Sequence, residues 1–159
     1  MGIEIERKFL VKGQPWLKWG KGTLFKQGYA CRGSQVTTRI RIAGNQGILT
    51  LKGETKGVQR AEFEYTIPIK DAEELIQLCE GGIIEKYRWT IPFQSLMWEV
   101  DVFLGLNQGL VVAEVELDTV EQDIEFPDWV GQEVSYDPRY FNGALSQTPW
   151  TEWAENQNP

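Results

Sequence analysis

Acidic and basic residues recur at alternate positions in seven short stretches of the chain: Glu4-Ile5-Glu6-Arg7-Lys8, Arg39-Ile40-Arg41, Leu51-Lys52, Arg60-Ala61-Glu62-Phe63-Glu64, Lys86-Tyr87-Arg88, Glu99-Val100-Asp101 and Glu114-Val115-Glu116. In an extended strand successive side chains point to opposite faces, so each stretch gathers charges on one face and mostly apolar groups on the other. If the strands are neighbours, eight carboxylates (Glu4, Glu6, Glu62, Glu64, Glu99, Asp101, Glu114 and Glu116) share a side of a sheet with seven cations (Lys8, Arg39, Arg41, Lys52, Arg60, Lys86 and Arg88). Any one such stretch reads as the wet face of an antiparallel sheet. As a set they differ from ordinary wet faces, because Arg-x-Arg and Glu-x-Glu doublets repel unless something binds between them. The ligand they call for is a polyanion accompanied by metal ions.

A closed barrel with its charged face inward would let one central ligand neutralise both kinds of doublet, and about seven or eight strands is the size at which a barrel interior holds one small ligand. The opposite faces then point outward with Ile40, Ile42, Leu49, Leu51, Phe63, Tyr65, Ile67, Tyr87, Trp89, Trp98, Val100, Val102, Val115 and Leu117. These residues need a cover of helices, loops or a partner chain, which makes a homodimer an expectation.

At 159 residues the chain has room for one domain with a substantial core. Its net charge of −7 and pI near 4.7 argue against nucleic acid as a partner. The start, Met-Gly-Ile-Glu-Ile-Glu-Arg-Lys, is charged from its fourth residue, unlike a secretory signal or a membrane segment, so no membrane partner and a cytoplasmic location are expected. No histidine is present, which excludes a His base or ligand, and Cys31 and Cys79 have neither metal nor redox spacing.

Along the chain, strands are expected over Ile3 to Val11, Thr23 to Ala30, Val36 to Ile42, Ile48 to Lys52, Gln59 to Ile67, Ile84 to Ile91, Leu96 to Phe103 and Leu110 to Leu117. Gly28 inside the second marks a bulge or a close backbone approach. Asp71 with Glu74 reads as a capping box opening a helix that Gly81-Gly82 stops. Asp137-Pro138 starts a short second helix to about Leu145, and the tail from Thr148 docks or frays. Lys26, Arg32 and Lys56 lie in or near turns and read as solvated.

The ordered series resembles the CYTH domain, or triphosphate tunnel metalloenzyme, family. Glu4-Ile5-Glu6-Arg7-Lys8 matches its Glu-x-Glu-x-Lys signature, and the match continues through Arg39-x-Arg41, Leu49-Thr50-Leu51-Lys52-Gly53, Arg60-x-Glu62-x-Glu64, Lys86-x-Arg88, Trp98-Glu99-Val100-Asp101 and Ala113-Glu114-Val115-Glu116-Leu117. It extends into Gly131-x-Glu133-Val134 and Asp137-x-Arg139-Tyr140-x-Asn142, so it spans nearly the whole of residues 1–159 as a single domain. The resemblance implies a mainly β fold, a closed eight-stranded antiparallel barrel with a few short helices outside it, binding a triphosphate and divalent metal.

On that resemblance Lys8, Arg39, Arg41, Lys52, Arg60, Lys86 and Arg88 bind phosphates, while Glu4, Glu6, Glu114 and Glu116 hold one or two Mg²⁺ or Mn²⁺ ions and serve catalysis together with Lys8. Glu62, Glu64, Glu99 and Asp101 are expected to hold the cations in place, and Tyr29 is an accessory that could approach Lys8 or the substrate. The family reading points first to hydrolysis of inorganic triphosphate, since no added domain for a base is visible. A nucleoside-triphosphate enzyme, either a phosphatase or an adenylyl cyclase, is the alternative. Thiamine triphosphatase and a non-catalytic polyphosphate binder come behind.

Overall fold

A computed structural model describes residues 2–153. Nine strands form: β1 (Ile3–Val11), β2 (Thr23–Arg32), β3 (Val36–Ala43), β4 (Gln46–Gly53), β5 (Gln59–Ile67), β6 (Glu80–Phe93), β7 (Leu96–Phe103), β8 (Val111–Glu116) and β9 (Val130–Glu133). The first eight run β5-β4-β3-β2-β6-β7-β8-β1, every pairing antiparallel, and β1 returns to β5 through Ile3↔Ala61, Glu4↔Arg60 and Ile5↔Gln59. That last pairing closes the eight-stranded barrel and leaves none of its strands with a free edge along its whole length. Farther along β1 the same edge is taken by β9, with Phe9↔Glu133 and Val11↔Val130. The ninth strand is thus a flap added to the expected barrel.

Because the inward faces are charged, the apolar core lies mainly outside the barrel. Phe9, Trp98, Val100, Ala113, Val115 and Leu117 on the outer faces of β1, β7 and β8 pack beneath Trp19, Ile124, Trp129 and Val130. Trp98 is fully buried, its ring 5.6 Å from that of Phe9 and 5.7 Å from that of Trp129. Each large side chain buried in this way contributes about 1.5–3 kcal/mol. Loops and β9 supply this cover from within the chain, whereas Phe63 and Tyr65 on the outer face of β5 stay about half exposed.

Helix α1 (Ile69–Gln77) seals the outer face of β3 and β4, where Ala72 lies against Gly47 so closely that a Cβ at Gly47 would meet the Ala72 Cβ at 2.8 Å. It differs from expectation at both ends. Pro68 leads directly into it, no side chain caps it, and Asp71 sits in its first turn, where its charge faces the positive end of the helix. The helix stops at Gln77, and Gly81 and Gly82 belong to the start of β6, with Gly81 at φ +76°. The second expected helix is broken too. A 3-10 turn, Pro138–Tyr140, and helix α2 (Asn142–Leu145) flank an extended Phe141, so that Phe141 and Asn142 turn into the barrel.

Leu145 of α2, together with Trp153, completes an apolar plug with Ile84, Phe103, Leu110 and Val112. It fills part of the barrel end where β1, β2, β4 and β7 finish. The docked tail is held by the Trp150 amide donating to Asn107 Oδ1 at 2.8 Å, while residues 154–159 lie outside the described residues. Gly28 makes the close approach its position implied, since a Cβ there would meet the Cys79 Cβ at 2.8 Å.

The flap is fastened by Arg7, whose outward guanidinium donates Nε and Nη2 to the two oxygens of Glu133 at 2.8 and 2.7 Å. Those bonds hold the Glu133 carboxyl below its ordinary pKa and raise that of Arg7. A depressed carboxylate contributes stability above its unfolded pKa and loses it as pH falls through the folded value. Arg7→Ala is therefore expected to cost about 1 kcal/mol in chemical denaturation at neutral pH. The gap between variant and wild type should narrow as pH falls below the ordinary glutamate range and close once Glu133 is protonated in both.

Candidate functional site

The inward faces enclose a cavity of about 310 Å³. Among the described residues its lining carries eight basic side chains (Lys8, Arg32, Arg39, Arg41, Lys52, Arg60, Lys86 and Arg88) against three acidic ones (Glu4, Glu6 and Glu114). A chain of net charge −7 has thus concentrated positive charge in its interior. Tyr29, Thr37, Thr55, Ser135, Phe141 and Asn142 complete much of the wall. Glu62, Glu64, Glu99 and Asp101 do not line the cavity and stand behind or beside its cations, and Glu116, also outside the lining, is exposed beside other carboxylates.

Strand register explains these partnerships. Lys8 and Glu114 are directly opposed on β1 and β8, and Lys8 Nζ donates to Glu114 at 2.7 Å and to Glu6 at 2.8 Å. Burial alone would lower the Lys8 pKa, but the two carboxylates more than offset it and hold the ammonium firmly charged. Arg88 opposes Asp101 across β6 and β7 and grips it at 2.6 and 2.8 Å, while its third nitrogen reaches Glu99 at 2.7 Å. Lys52 pairs with Glu4 at 3.0 Å and Glu62 at 2.9 Å, and Arg39 reaches Glu64 at 3.3 Å.

Two basic groups are held below their ordinary pKa. Arg41 rests over Phe25 and donates Nε only to the neutral Gln27 Oε1 at 2.8 Å; burial, then Arg39 and Arg88, push its pKa down to about 9. Lys86 is buried, contacts Asp101 at 2.7 Å and donates to Asn142 Oδ1 at 2.9 Å. Burial lowers it first, and Arg88 and Arg41 add to this against the pull of Asp101, leaving it at about 7. Arg39 Nε and Arg60 Nε are buried with no hydrogen-bond partner. An anion entering the cavity would offset the low pKa of Arg41 and Lys86.

The carboxylates show the converse strain. Glu6 is raised to about 7 by burial and then by Glu114, with Lys8 offsetting only part. Glu116 is raised by burial and then by Glu4, Glu62 and Glu6. Glu114 moves the other way, held well below the carboxylate range because Lys8, Arg88 and Lys86 outweigh its burial. The all-oxygen donor set around Glu4, Glu6 and Glu116 suits a hard divalent ion in chemistry. As they stand, no three acidic, Cys or His side chains among the described residues converge to hold one, because Lys8 sits between Glu6 and Glu114 and Lys52 between Glu4 and Glu62.

Tyr29 is buried in the wall and its hydroxyl accepts from Gln27 Nε2 at 3.3 Å, while the Phe141 ring lies 5.7 Å from Lys8 Nζ. The structure makes Gln27, and Asn142 at the end of the Asp137-x-Arg139-Tyr140-x-Asn142 run, the neutral partners of Arg41 and Lys86. Arg32, read as solvated, lines the cavity instead.

A closed antiparallel barrel with a basic interior backed by carboxylates defines a protein that takes a polyanion inside its sheet. The chain belongs to the CYTH domain family, which matches residues 2–142. It is 44% identical over 156 residues to an inorganic triphosphatase of Acetivibrio thermocellus, covering 98% of this chain and all of that protein. It is 36% identical over 152 residues to an inorganic triphosphatase of Nitrosomonas europaea, covering 90% of this chain and 96% of that one. The fold matches a crystal structure of an inorganic triphosphatase at a TM-score of 0.64 and 34% identity, over 89% of this chain and 96% of the other. Among the described residues, no helix is long and apolar enough to cross a membrane.

A bound polyanion raises the Lys86 pKa, so above pH 7 binding must take up a proton and affinity must fall as pH rises from there. Titrating tripolyphosphate into metal-free protein at pH 8, in two buffers of different ionisation heat, is expected to show net proton uptake. Lys86→Met should remove its share, and uptake unchanged in that variant would place the titrating group elsewhere.

Proposed function

We propose that the protein hydrolyses inorganic triphosphate to pyrophosphate and phosphate. The observation that carries this reading is the cavity wall, eight basic groups against three acidic, in a chain whose relatives over almost its full length are named inorganic triphosphatases. A triphosphate is long, flexible and densely charged, and cations spread over β1, β3, β4, β5 and β6 meet it along its length. Arginines suit paired phosphoryl oxygens and lysines single ones. Lys86 and Arg41, both held below their ordinary pKa, receive one part of the chain, while Lys8 and Arg39 flank another.

Glu4, Glu6, Glu114 and Glu116 are the residues that would hold Mg²⁺ or Mn²⁺. When bound, such an ion supplies neutralisation of phosphoryl charge and acidifies a nearby water. Asp101, Glu62 and Glu64 orient Arg88, Lys52 and Arg39, so that the donors are fixed before substrate arrives and little reorganisation is needed as charge shifts toward the leaving pyrophosphate. The overall step adds water oxygen to a terminal phosphorus and breaks its anhydride bond.

A metal ion must displace the proton from Glu6, so the metal requirement should ease as pH rises through about 7. Glu6→Gln is expected to lose most turnover at saturating metal while melting near the wild-type temperature. Chelated wild-type protein that kept full activity would remove the metal from this reading.

Inorganic triphosphate should show a much higher kcat/KM than ATP, since the wall is dominated by phosphate donors. Pyrophosphate, too short to engage the cations together, should be a poor substrate. The three compounds compared under one metal condition, with chromatography of products, decide the matter. ATP preferred with cyclic AMP as product would favour the cyclase alternative.

A further inference from the structure

We propose that Arg32 is a further phosphate-binding residue, contacting the outer end of a bound triphosphate at the cavity mouth. Strand alternation gives no hint of it. Phe25, Gln27 and Tyr29 share the inward face of β2, so simple parity sends residue 31 inward and Arg32 out. The pairing with β3 runs Tyr29↔Arg39 and then Cys31↔Thr38, Arg32↔Thr37, which places one extra residue, Ala30, in β2. A bulge of this kind reverses the facing of every later residue and is a common way to re-aim a side chain beside a site. Cys31 is accordingly exposed and Arg32 lines the cavity.

The register also fixes its neighbours. Arg32 opposes Thr37, and Thr37 opposes Lys52 on β4, so Arg32 and Lys52 end one cross-strand row of the wall with a threonine between them. Exposed Gly57 and Gln147 line the cavity at this end of the barrel and mark its mouth. Lys52 is balanced by Glu4 and Glu62, whereas among the described residues no carboxylate pairs with Arg32.

The guanidinium is nevertheless held in place. Nη2 donates to the Glu80 carbonyl at 2.6 Å and to Ser146 Oγ at 2.9 Å, and the group lies over the Tyr29 ring at 5.6 Å. Its Nε is buried without a partner. A preformed cation lining the cavity, tethered through neutral atoms only, is organised for an anion that arrives from outside. Pyrophosphate, seated by Lys86 and Arg41 deeper in the cavity, would not reach the mouth; a third phosphoryl group would. Arg32 thereby gives the site part of its discrimination for chain length.

The inference rests on the triphosphate reading, and the test separates the two. Binding of tripolyphosphate and of pyrophosphate to metal-free protein is measured by calorimetry for wild type, Arg32→Gln, Arg32→Lys and Ser146→Ala. Arg32→Gln is expected to weaken tripolyphosphate about tenfold or more and pyrophosphate by less than about twofold. Arg32→Lys keeps the charge without the fork and should fall between, and it carries the test if the glutamine variant does not fold. Ser146→Ala removes a tether without removing the cation and should bind both ligands nearly as wild type does.

Tripolyphosphate affinity unchanged in the folded Arg32 variants overturns the proposal, as does an equal loss for both ligands. A Ser146→Ala variant as weakened as Arg32→Gln overturns it as well, by making Arg32 a clamp on α2. Wild-type protein that binds pyrophosphate but gains nothing from a third phosphate would overturn the triphosphate reading itself.

Discussion

Like charges two residues apart on an inward strand face repel, and the rest of this structure answers that repulsion. At the short range of neighbouring strand positions, and with water largely excluded, the Arg39/Arg41 and Glu4/Glu6 doublets cannot be left to solvent screening. Opposite charges across the strands give partial relief: Lys8 between Glu6 and Glu114, Lys52 between Glu4 and Glu62, Arg88 on Asp101 and Glu99. The relief is incomplete by sign and by place. Arg41 and Lys86 remain below their ordinary pKa values, and Glu6 and Glu116 above theirs. The imbalance among the cations is one that a polyanion in the cavity would relieve.

Charging the interior displaces the hydrophobic core. An ordinary small barrel fills its centre with apolar side chains, whereas here the stabilising burial is on the outside, at Phe9, Trp98, Val100 and Val115, and in the plug around Ile84, Phe103 and Leu145. The outer core needs a lid, which explains why so much of the chain between β8 and β9 follows an irregular path ending in Trp129, and why Arg7 spends its guanidinium on Glu133. The plug has the complementary duty. It shuts part of one barrel end with apolar contacts and carries Asn142 and Phe141 inward on α2, so a stability element and a site element occupy one short segment.

Much of this was legible from alternation, because a period of two cannot be kept by a helix and seven strands carry charges of matching parity; the closed eight-stranded barrel came from the family resemblance. The expected bounds of β1, β5 and β7 agree with the structure residue for residue. What alternation cannot show is a residue inserted against a partner strand. Ala30 carries no local mark of its bulge, and the facing of Arg32 depends on which residue of β3 it meets. Helix starts failed for a related reason: Asp71 and Glu74 have the spacing of a capping box, but the rigid φ of Pro68 let the chain turn directly out of β5, and the helix began before the cap. The role of Asn142 was invisible because a four-residue helix broken at Phe141 has no period to read.

The neutral residues of the wall matter as much as the charged ones. Gln27 and Asn142 occupy the hydrogen-bonding positions beside Arg41 and Lys86 that a carboxylate could fill, and each supplies an amide carbonyl in its place. A glutamate or aspartate there would give Arg41 an ion pair and Lys86, already on Asp101, a second one, raising the pKa of each cation and leaving an entering phosphate to compete with a tethered carboxylate. An amide fixes the same geometry without discharging the field. The division is consistent across the cavity: carboxylates stand behind the cations that need orienting, as Asp101 does for Arg88, and amides or nothing stand beside those that must stay hungry for charge, as at Arg41, Arg60 Nε and Arg39 Nε. Selectivity for a densely charged, flexible ligand arises from where negative charge has been withheld.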